Sequence, residues 1–261
     1  MLDIEAQLES IELDNVSRTF GSIVTAVDAV HLHLDRSRIG VVGESGSGKT
    51  TLGRILLGLD TPTSGRVLVN GVPLADILRS RRSTLWYRSR LQYVGQDSVG
   101  AFEPGRRMRE SVLFAARYLR RPVPAELDSE AEELAEVFAL DPALFDRYPG
   151  ELSGGQRQRM ALIRGLLVRP QILVCDEAVS ALDVSVQAYV LNELKSRSVA
   201  GAMGLVFITH GLPACAFLVE RLVVMLQGRV VEAGPTEAVL GRPESPYTRE
   251  LLTAYQHLAG G

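Results

Sequence analysis

The chain has 261 residues, 46% hydrophobic and 23% charged, with 28 Lys and Arg against 31 Asp and Glu for a formal net charge of −3. That length holds one large domain or two small ones with ample core material, and the near-neutral balance exerts no global pull toward nucleic acid or anionic lipid. No apolar run approaches the roughly 20 residues of a membrane-spanning helix.

The opening Met1-Leu2-Asp3-Ile4-Glu5 lacks the basic and apolar regions of a leader peptide, so an intracellular chain is expected, reaching any membrane through another protein. Ser10-Ile11-Glu12-Leu13 and Val30-His31-Leu32-His33-Leu34 alternate as short strands. Between them Arg18-Thr19-Phe20-Gly21-Ser22 reads as a turn carrying one aromatic. His31 and His33 share a strand face, but with no third ligand in sight they read as solvent-facing histidines rather than a metal pair.

Ile39-Gly40-Val41-Val42 is short and apolar, as a buried parallel strand should be. It leads into Gly43-Glu44-Ser45-Gly46-Ser47-Gly48-Lys49-Thr50, which fits the G-x-x-x-x-G-K-[ST] phosphate loop. Leu52, Ile55, Leu56 and Leu59 then recur at helical spacing. Strand, glycine-rich turn and helix together point backbone N–H groups and a helix N-terminus at a polyphosphate. Lys49 is expected to reach the β- and γ-phosphates and the Thr50 hydroxyl to ligate Mg2+, with Thr51 completing the cradle.

Arg66-Val67-Leu68-Val69 alternates into Asn70-Gly71, a strong hairpin signal. From Arg79 to Arg121 there are eleven arginines against Asp97, Glu103 and Glu110. From Ala125 to Glu151 nine acidic residues face Arg147 alone. The basic run has few aromatics to stack bases, so it reads as a solvated or partner-facing surface rather than a grip on nucleic acid. Residues 129–140 form an amphipathic helix capped at Asp128 or Ser129, which Asp141-Pro142 ends.

Leu152-Ser153-Gly154-Gly155-Gln156 precedes a periodic run of Met160, Leu162, Ile163, Leu166 and Leu167. Ile172-Leu173-Val174-Cys175 is a buried strand closing on Asp176-Glu177, and Leu205-Val206-Phe207-Ile208 closes on Thr209-His210. Cys175 and Cys215 are expected as free core thiols. Leu222–Leu226 and Arg229–Val231 are a final strand pair, followed by a turn, a short helix and a loose end.

Alternating strands and helices argue for a mostly parallel sheet covered by helices. Ligands in such sheets gather at the carboxyl ends of strands, where the phosphate loop, Asp176-Glu177 and Thr209-His210 all lie. Asp176 is placed to hold Mg2+. Glu177 is placed to deprotonate an attacking water, general-base help of about 10²–10⁴-fold. His210 is placed to stabilise charge on the γ-phosphate or leaving group.

Leu152-Ser153-Gly154-Gly155-Gln156-Arg157-Gln158-Arg159 resembles the signature motif of ABC ATPases, and its place just upstream of the acidic strand is similar. The resemblance covers essentially the whole chain. It makes Phe20 the aromatic that stacks on adenine, a contact of ~1–3 kcal/mol by analogy with other base–aromatic stacks. Gln96 matches the Q-loop glutamine and a Mg2+ ligand, Ser180-Ala181-Leu182-Asp183 the D-loop, and His210 the switch histidine. The implied fold is α/β: a P-loop NTPase with a RecA-like, mostly parallel sheet, an antiparallel β subdomain and an α-helical subdomain. Residues 1–261 then form one ABC ATPase domain. Its core spans 1–95 and 165–235, its helical subdomain 96–164, and its tail 236–261.

The family resemblance implies ATP and Mg2+ as cofactors and a head-to-tail pair with a second, non-identical ABC ATPase. Ser153, Gly154, Gly155, Gln156 and Asp183 would serve the nucleotide sites of that pair. Gly43–Gly48, Gln96–Pro104, Arg147–Glu151 and Ser245-Pro246-Tyr247-Thr248 resemble subunits of peptide, nickel and metallophore importers, as does Asp176-Glu177-Ala178-Val179-Ser180. Such subunits sit peripherally on the cytoplasmic face of the membrane, on two transmembrane permease subunits fed by an extracytoplasmic substrate-binding protein. Gly211 stands where an aspartate is usual and is expected to loosen the His210 turn. A GTPase has no use for Leu152–Gln156, and the chain has no Asn-Lys-x-Asp to read guanine. A soluble ABC ATPase acting on nucleic acid or ribosomes is the alternative, but those usually carry two ATPase domains or coiled-coil insertions.

Overall fold

The computed structural model describes residues 7–21, 23–97, 100–120, 123, 125–180, 182–201 and 203–259. Met1–Glu5, Ser22, Ser98, Val99, Arg121 and Ala181, all used in the sequence reading, lie outside the described residues. In chain order the elements begin β1 (Ile11–Phe20), β2 (Val24–Leu34), β3 (Arg38–Val42), α1 (Lys49–Leu56), β4 (Ser64–Val69), β5 (Val72–Pro73) and α2 (Leu74–Ile77). They continue with α3 (Arg81–Arg90), β6 (Leu91–Val94), α4 (Met108–Leu119), α5 (Leu127–Val137), α6 (Gly154–Leu167), β7 (Ile172–Asp176) and α7 (Val184–Val199). The last are β8 (Gly204–Ile208), α8 (Leu212–Leu218), β9 (Arg221–Leu226), β10 (Arg229–Pro235), α9 (Thr236–Gly241) and α10 (Pro246–Ala259). Among the described residues no helix is long and apolar enough to cross a membrane. The chain divides into one unit of Met1–Thr84 with Gly204–Gly261 and a second of Leu85–Met203.

In the first unit β2-β1-β4-β5 form an antiparallel sheet. In a second sheet β3 runs parallel to both β8 and β9, and β10 is antiparallel to β9. The reason lies in composition: Ile39, Val41 and Val42 of β3 and all of β8 are buried, the continuous apolar run of a strand covered on both faces. Each such side chain contributes roughly 1.5–3 kcal/mol on leaving water. Asn70-Gly71 closes the β4–β5 hairpin, with Val69 opposite Val72. Three expectations are corrected here. Arg18-Thr19-Phe20 belong to β1 rather than a turn, because Thr19 and Phe20 pair across to Thr25 and Val24. Leu59 falls outside α1 and is exposed, since its N–H and that of Gly58 fold back onto the Arg54 and Ile55 carbonyls and close the helix. The tail carries the fourteen-residue helix α10 rather than a short helix and loose end.

In the second unit β6 and β7 are parallel neighbours, and α4 and α5 both pack on α6. Val112, Leu113, Leu134, Leu162, Ile163 and Leu166 form this core, each nearly inaccessible. Helix α5 begins before the expected cap: Glu130 N–H already bonds the Glu126 carbonyl at 2.8 Å, and Ser129 Oγ bonds back to that carbonyl at 3.0 Å. It also ends well before Asp141, where Ala139 turns into the left-handed region at φ 51°. Asp141 instead caps the 3₁₀ turn Pro142–Asp146, accepting from Ala143 N–H at 2.9 Å.

The two runs of opposite charge meet inside this unit. Arg109 bridges Asp128 (3.2 Å), Glu132 (2.9 Å) and Asp146 (3.6 Å), and Arg117 also holds Asp128 at 3.1 Å. Glu130 takes Arg120 at 2.8 Å and Arg169 at 3.0 Å. Part of the basic run is therefore not bare solvated surface but the electrostatic half of a helix–helix pairing. Cys175 and Cys215 are free and buried; burial pushes the Cys215 thiol up to about 12, and burial beside Asp176 raises Cys175 as well.

Candidate nucleotide site

β3 delivers the chain into Gly43-Glu44-Ser45-Gly46-Ser47-Gly48, and α1 begins at Lys49. The loop lies against its own protein. A Cβ at Gly48 (φ 100°) would sit 2.0 Å from the Ala26 carbonyl oxygen, and one at Gly43 would sit 2.2 Å from that of Met225. At Gly46 (φ 80°) a Cβ would meet nothing within 4 Å. Lys49 is only 7% exposed, and its Nζ donates to the Gly43 carbonyl (2.8 Å), the Glu44 carbonyl (2.7 Å) and Ser47 Oγ (3.3 Å). No side chain caps α1. A buried ammonium beside a helix N-terminus is chemistry suited to an anion. Ser47 is buried, Glu44, Ser45 and Thr50 are exposed, and Thr51 is half-buried.

Because β8 is parallel to β3, Thr209-His210 leave the sheet at the same edge as the phosphate loop, with Thr209 N–H bonded to the Val41 carbonyl at 3.1 Å. His210 is exposed. Gly211 has an ordinary φ of −83° and donates its N–H to Thr209 Oγ1 at 2.9 Å. Phe20, at the end of β1, is 41% exposed with the Arg18 guanidinium 4.6 Å from its ring centroid.

The second unit carries the rest. Asp176 ends β7 almost wholly buried. Glu177 sits at φ 52°, a left-handed conformation costing a non-glycine residue about 1–2 kcal/mol. Ser180 holds the strained turn through its Oγ (2.8 Å) and N–H (3.3 Å) to the Glu177 carbonyl, over buried Ala178 and Val179. Backbone strain of this kind clusters at functional sites. Since β6 lies parallel to β7, Gln96 emerges at the same end of the pair as Asp176-Glu177 and is exposed. Both flanks of its loop are bound to α6: Gln158 Nε2 donates to the Gly95 carbonyl at 3.0 Å, and Arg164 Nη1 to that of Ala101 at 2.5 Å.

Ser153 is the N-cap of α6, and Gly154-Gly155 are its first residues. Ser153 Oγ accepts from Gln156 N–H at 3.2 Å, and Ser153 N–H donates to Gln156 Oε1 at 2.8 Å. This reciprocal cap is a capping box, and it engages the Gln156 amide oxygen within the chain. Asp183 stands exposed before α7.

Two contacts escaped the sequence reading. Tyr247 Oη accepts from Glu44 N–H at 3.0 Å, with α10 anchored by Glu232, which accepts from Glu244 and Ser245 N–H groups at 2.9 and 3.1 Å. Tyr93 donates its hydroxyl to Asp176 Oδ2 at 2.9 Å. The Ser-Pro-Tyr-Thr stretch was the only local sign of the first, and nothing local signalled the second.

The profile described as ABC transporter matches residues 27–180. A Sinorhizobium fredii protein whose name describes a peptide ABC transporter ATP-binding protein is 39% identical over 240 residues, covering 89% of this chain and 65% of its own length. A Brucella ovis protein whose name describes a peptide import ATP-binding protein is 37% identical over 238 residues, covering 91% of this chain and 74% of its own. The chain thus spans about two thirds to three quarters of the length of these relatives. Among solved structures, an ATP-binding cassette seen as a dimer in a post-hydrolysis state with ADP and Pi superposes with a TM-score of 0.78 at 26% identity, covering 87% of this chain and 98% of that one. The chain belongs to the ABC transporter family and has the α/β P-loop NTPase fold of its ATPase cassettes.

Proposed function

We propose that this chain binds and hydrolyses ATP as the motor subunit of an ABC importer for peptides, nickel or a metal-chelating metallophore. The observation that carries the reading is the phosphate loop, where buried Lys49 lies over a loop whose Gly46 faces open space. Gly43 to Thr51 hold the phosphates and Phe20 stacks on adenine. Thr50, Gln96 and Asp176 supply a hydroxyl, an amide oxygen and a carboxylate, hard donors that fit Mg2+. Mg2+, when bound, neutralises charge on the β- and γ-oxygens. Glu177 takes the proton of the attacking water, and His210 bonds the γ-phosphate.

A second, non-identical ABC ATPase pairs head to tail with the chain, and Ser153, Gly154, Gly155, Gln156 and Asp183 serve the nucleotide held by that partner. Glycine amides at a helix N-terminus are suited to a phosphate. The pair sits on the cytoplasmic face of the membrane under two transmembrane permease subunits, which an extracytoplasmic binding protein loads. The helical segment 96–164 docks on the permeases. Peptide is the cargo class in the relatives' names, while nickel and metallophore rest on motif resemblance. Nucleic acid is not a partner in this reading; part of the basic run is engaged by acidic side chains of the same unit, which supports it.

Two variants test it. Lys49→Ala removes the charge facing the phosphates and should abolish ATP binding to the purified chain. Glu177→Gln should bind ATP normally and lose at least 100-fold in turnover in the assembled transporter, the low end of a general base's worth. Wild-type turnover in Glu177→Gln would refute the reading.

A further inference from the structure

We infer that Tyr93 is a positioning residue for Asp176, fixing the carboxylate that the proposed function assigns to Mg2+; the inference rests on that assignment. In the parallel pair β6–β7, Tyr93 lies opposite Val174 and Val94 opposite Cys175. Asp176 is therefore the diagonal neighbour of Tyr93, a span that an aromatic side chain covers. Side chains at i and i+2 share a face of a strand, so the Tyr93 ring lies over Gly95. A Cβ at Gly95 would come within 2.7 Å of Tyr93 Cε1 and 3.1 Å of its hydroxyl oxygen. The bare glycine lets the ring settle where its hydroxyl donates to Asp176 Oδ2 at 2.9 Å. The backbone below is anchored by buried Gln158, which holds the Gly95 carbonyl at 3.0 Å.

Asp176 is 1% exposed, so water does not compete for its orientation. A hydrogen bond to a carboxylate is stronger than one between neutral groups, and with Oδ2 held the carboxylate plane is set. Partners of this kind orient a metal ligand without touching the metal. Tyr93 and Gly95 act as one device: the hydroxyl makes the bond and the missing side chain makes the space.

The experiment is a Mn2+ titration of the purified full chain with a non-hydrolysable ATP analogue, read by electron paramagnetic resonance, beside analogue affinity measured in EDTA. Tyr93→Phe should weaken Mn2+ roughly three- to tenfold, the loss expected of one hydrogen bond, and leave the EDTA affinity unchanged. Gly95→Ala should produce a similar loss by displacing the ring, and no further loss in the Tyr93→Phe background. Wild-type Mn2+ affinity in Tyr93→Phe, with Asp176→Asn strongly impaired, would overturn the positioning role and leave the metal assignment standing. Equal losses from Gly95→Ala in both backgrounds would likewise overturn it. Wild-type Mn2+ binding in Asp176→Asn would overturn the metal assignment together with this inference.

Discussion

In the phosphate loop, Gly48 and Gly43 answer to the protein's own backbone at Ala26 and Met225, whereas Gly46 answers only to its positive φ and to the space beyond it. Substitutions should therefore separate stability from binding. Gly48→Ala should unfold earlier in urea or heat, by roughly 2–3 kcal/mol from strain and displaced backbone. Gly46→Ala should cost less than Gly48→Ala, only the about 1–2 kcal/mol of its left-handed backbone, yet lose at least tenfold in ATP affinity by titration. Equal destabilisation of the two would contradict this division. The loop is legible in the sequence because sterics dictate residue types at fixed offsets. Tyr93 and Asp176 are not legible as a pair, because 83 positions separate them and only the register of β6 on β7 joins them. The same holds for Tyr247 and Glu44, 203 positions apart.

At the scale of elements, apolar periodicity announces β3, β7, β8 and α6, because each buries a continuous surface. Ends are another matter. Phe20 is drawn into β1 by pairing with Val24, and α5 stops where Ala139 turns left-handed, both effects of neighbours rather than local propensity. The opposed charge runs are plain in the sequence, but their pairing appears only once α4 and α5 pack on α6. Glu130 makes the pairing testable. Desolvation pushes its carboxyl up, but bonds from Arg120 and Arg169 outweigh it and hold the group below the usual range. A carboxylate depressed in the folded state contributes stability that is present above its unfolded pKa and is lost as pH falls through its folded one. Wild type should thus lose about 1 kcal/mol more than Glu130→Gln, after allowance for solvent screening, as urea unfolding is followed from pH 6 to below the unfolded value of about 4.5 and on through the lower folded one. Parallel pH profiles for the two proteins would show that the Glu130 bridges contribute nothing.

At the scale of the whole molecule, the proposed function makes the chain one half of a composite machine. In that proposal its phosphate loop would serve its own ATP, and the Ser153 end of α6 the ATP of a second ATPase. The reciprocal Ser153–Gln156 cap keeps that helix end ordered. The most direct measurement is Ser153→Arg, with ATP titrated into the purified chain and hydrolysis followed in the assembled transporter. ATP affinity of the chain itself should stay within twofold of wild type, while hydrolysis should fall at least tenfold because a bulky side chain occupies the interface. A tenfold fall in the chain's own affinity, about 1.4 kcal/mol, would contradict the composite site.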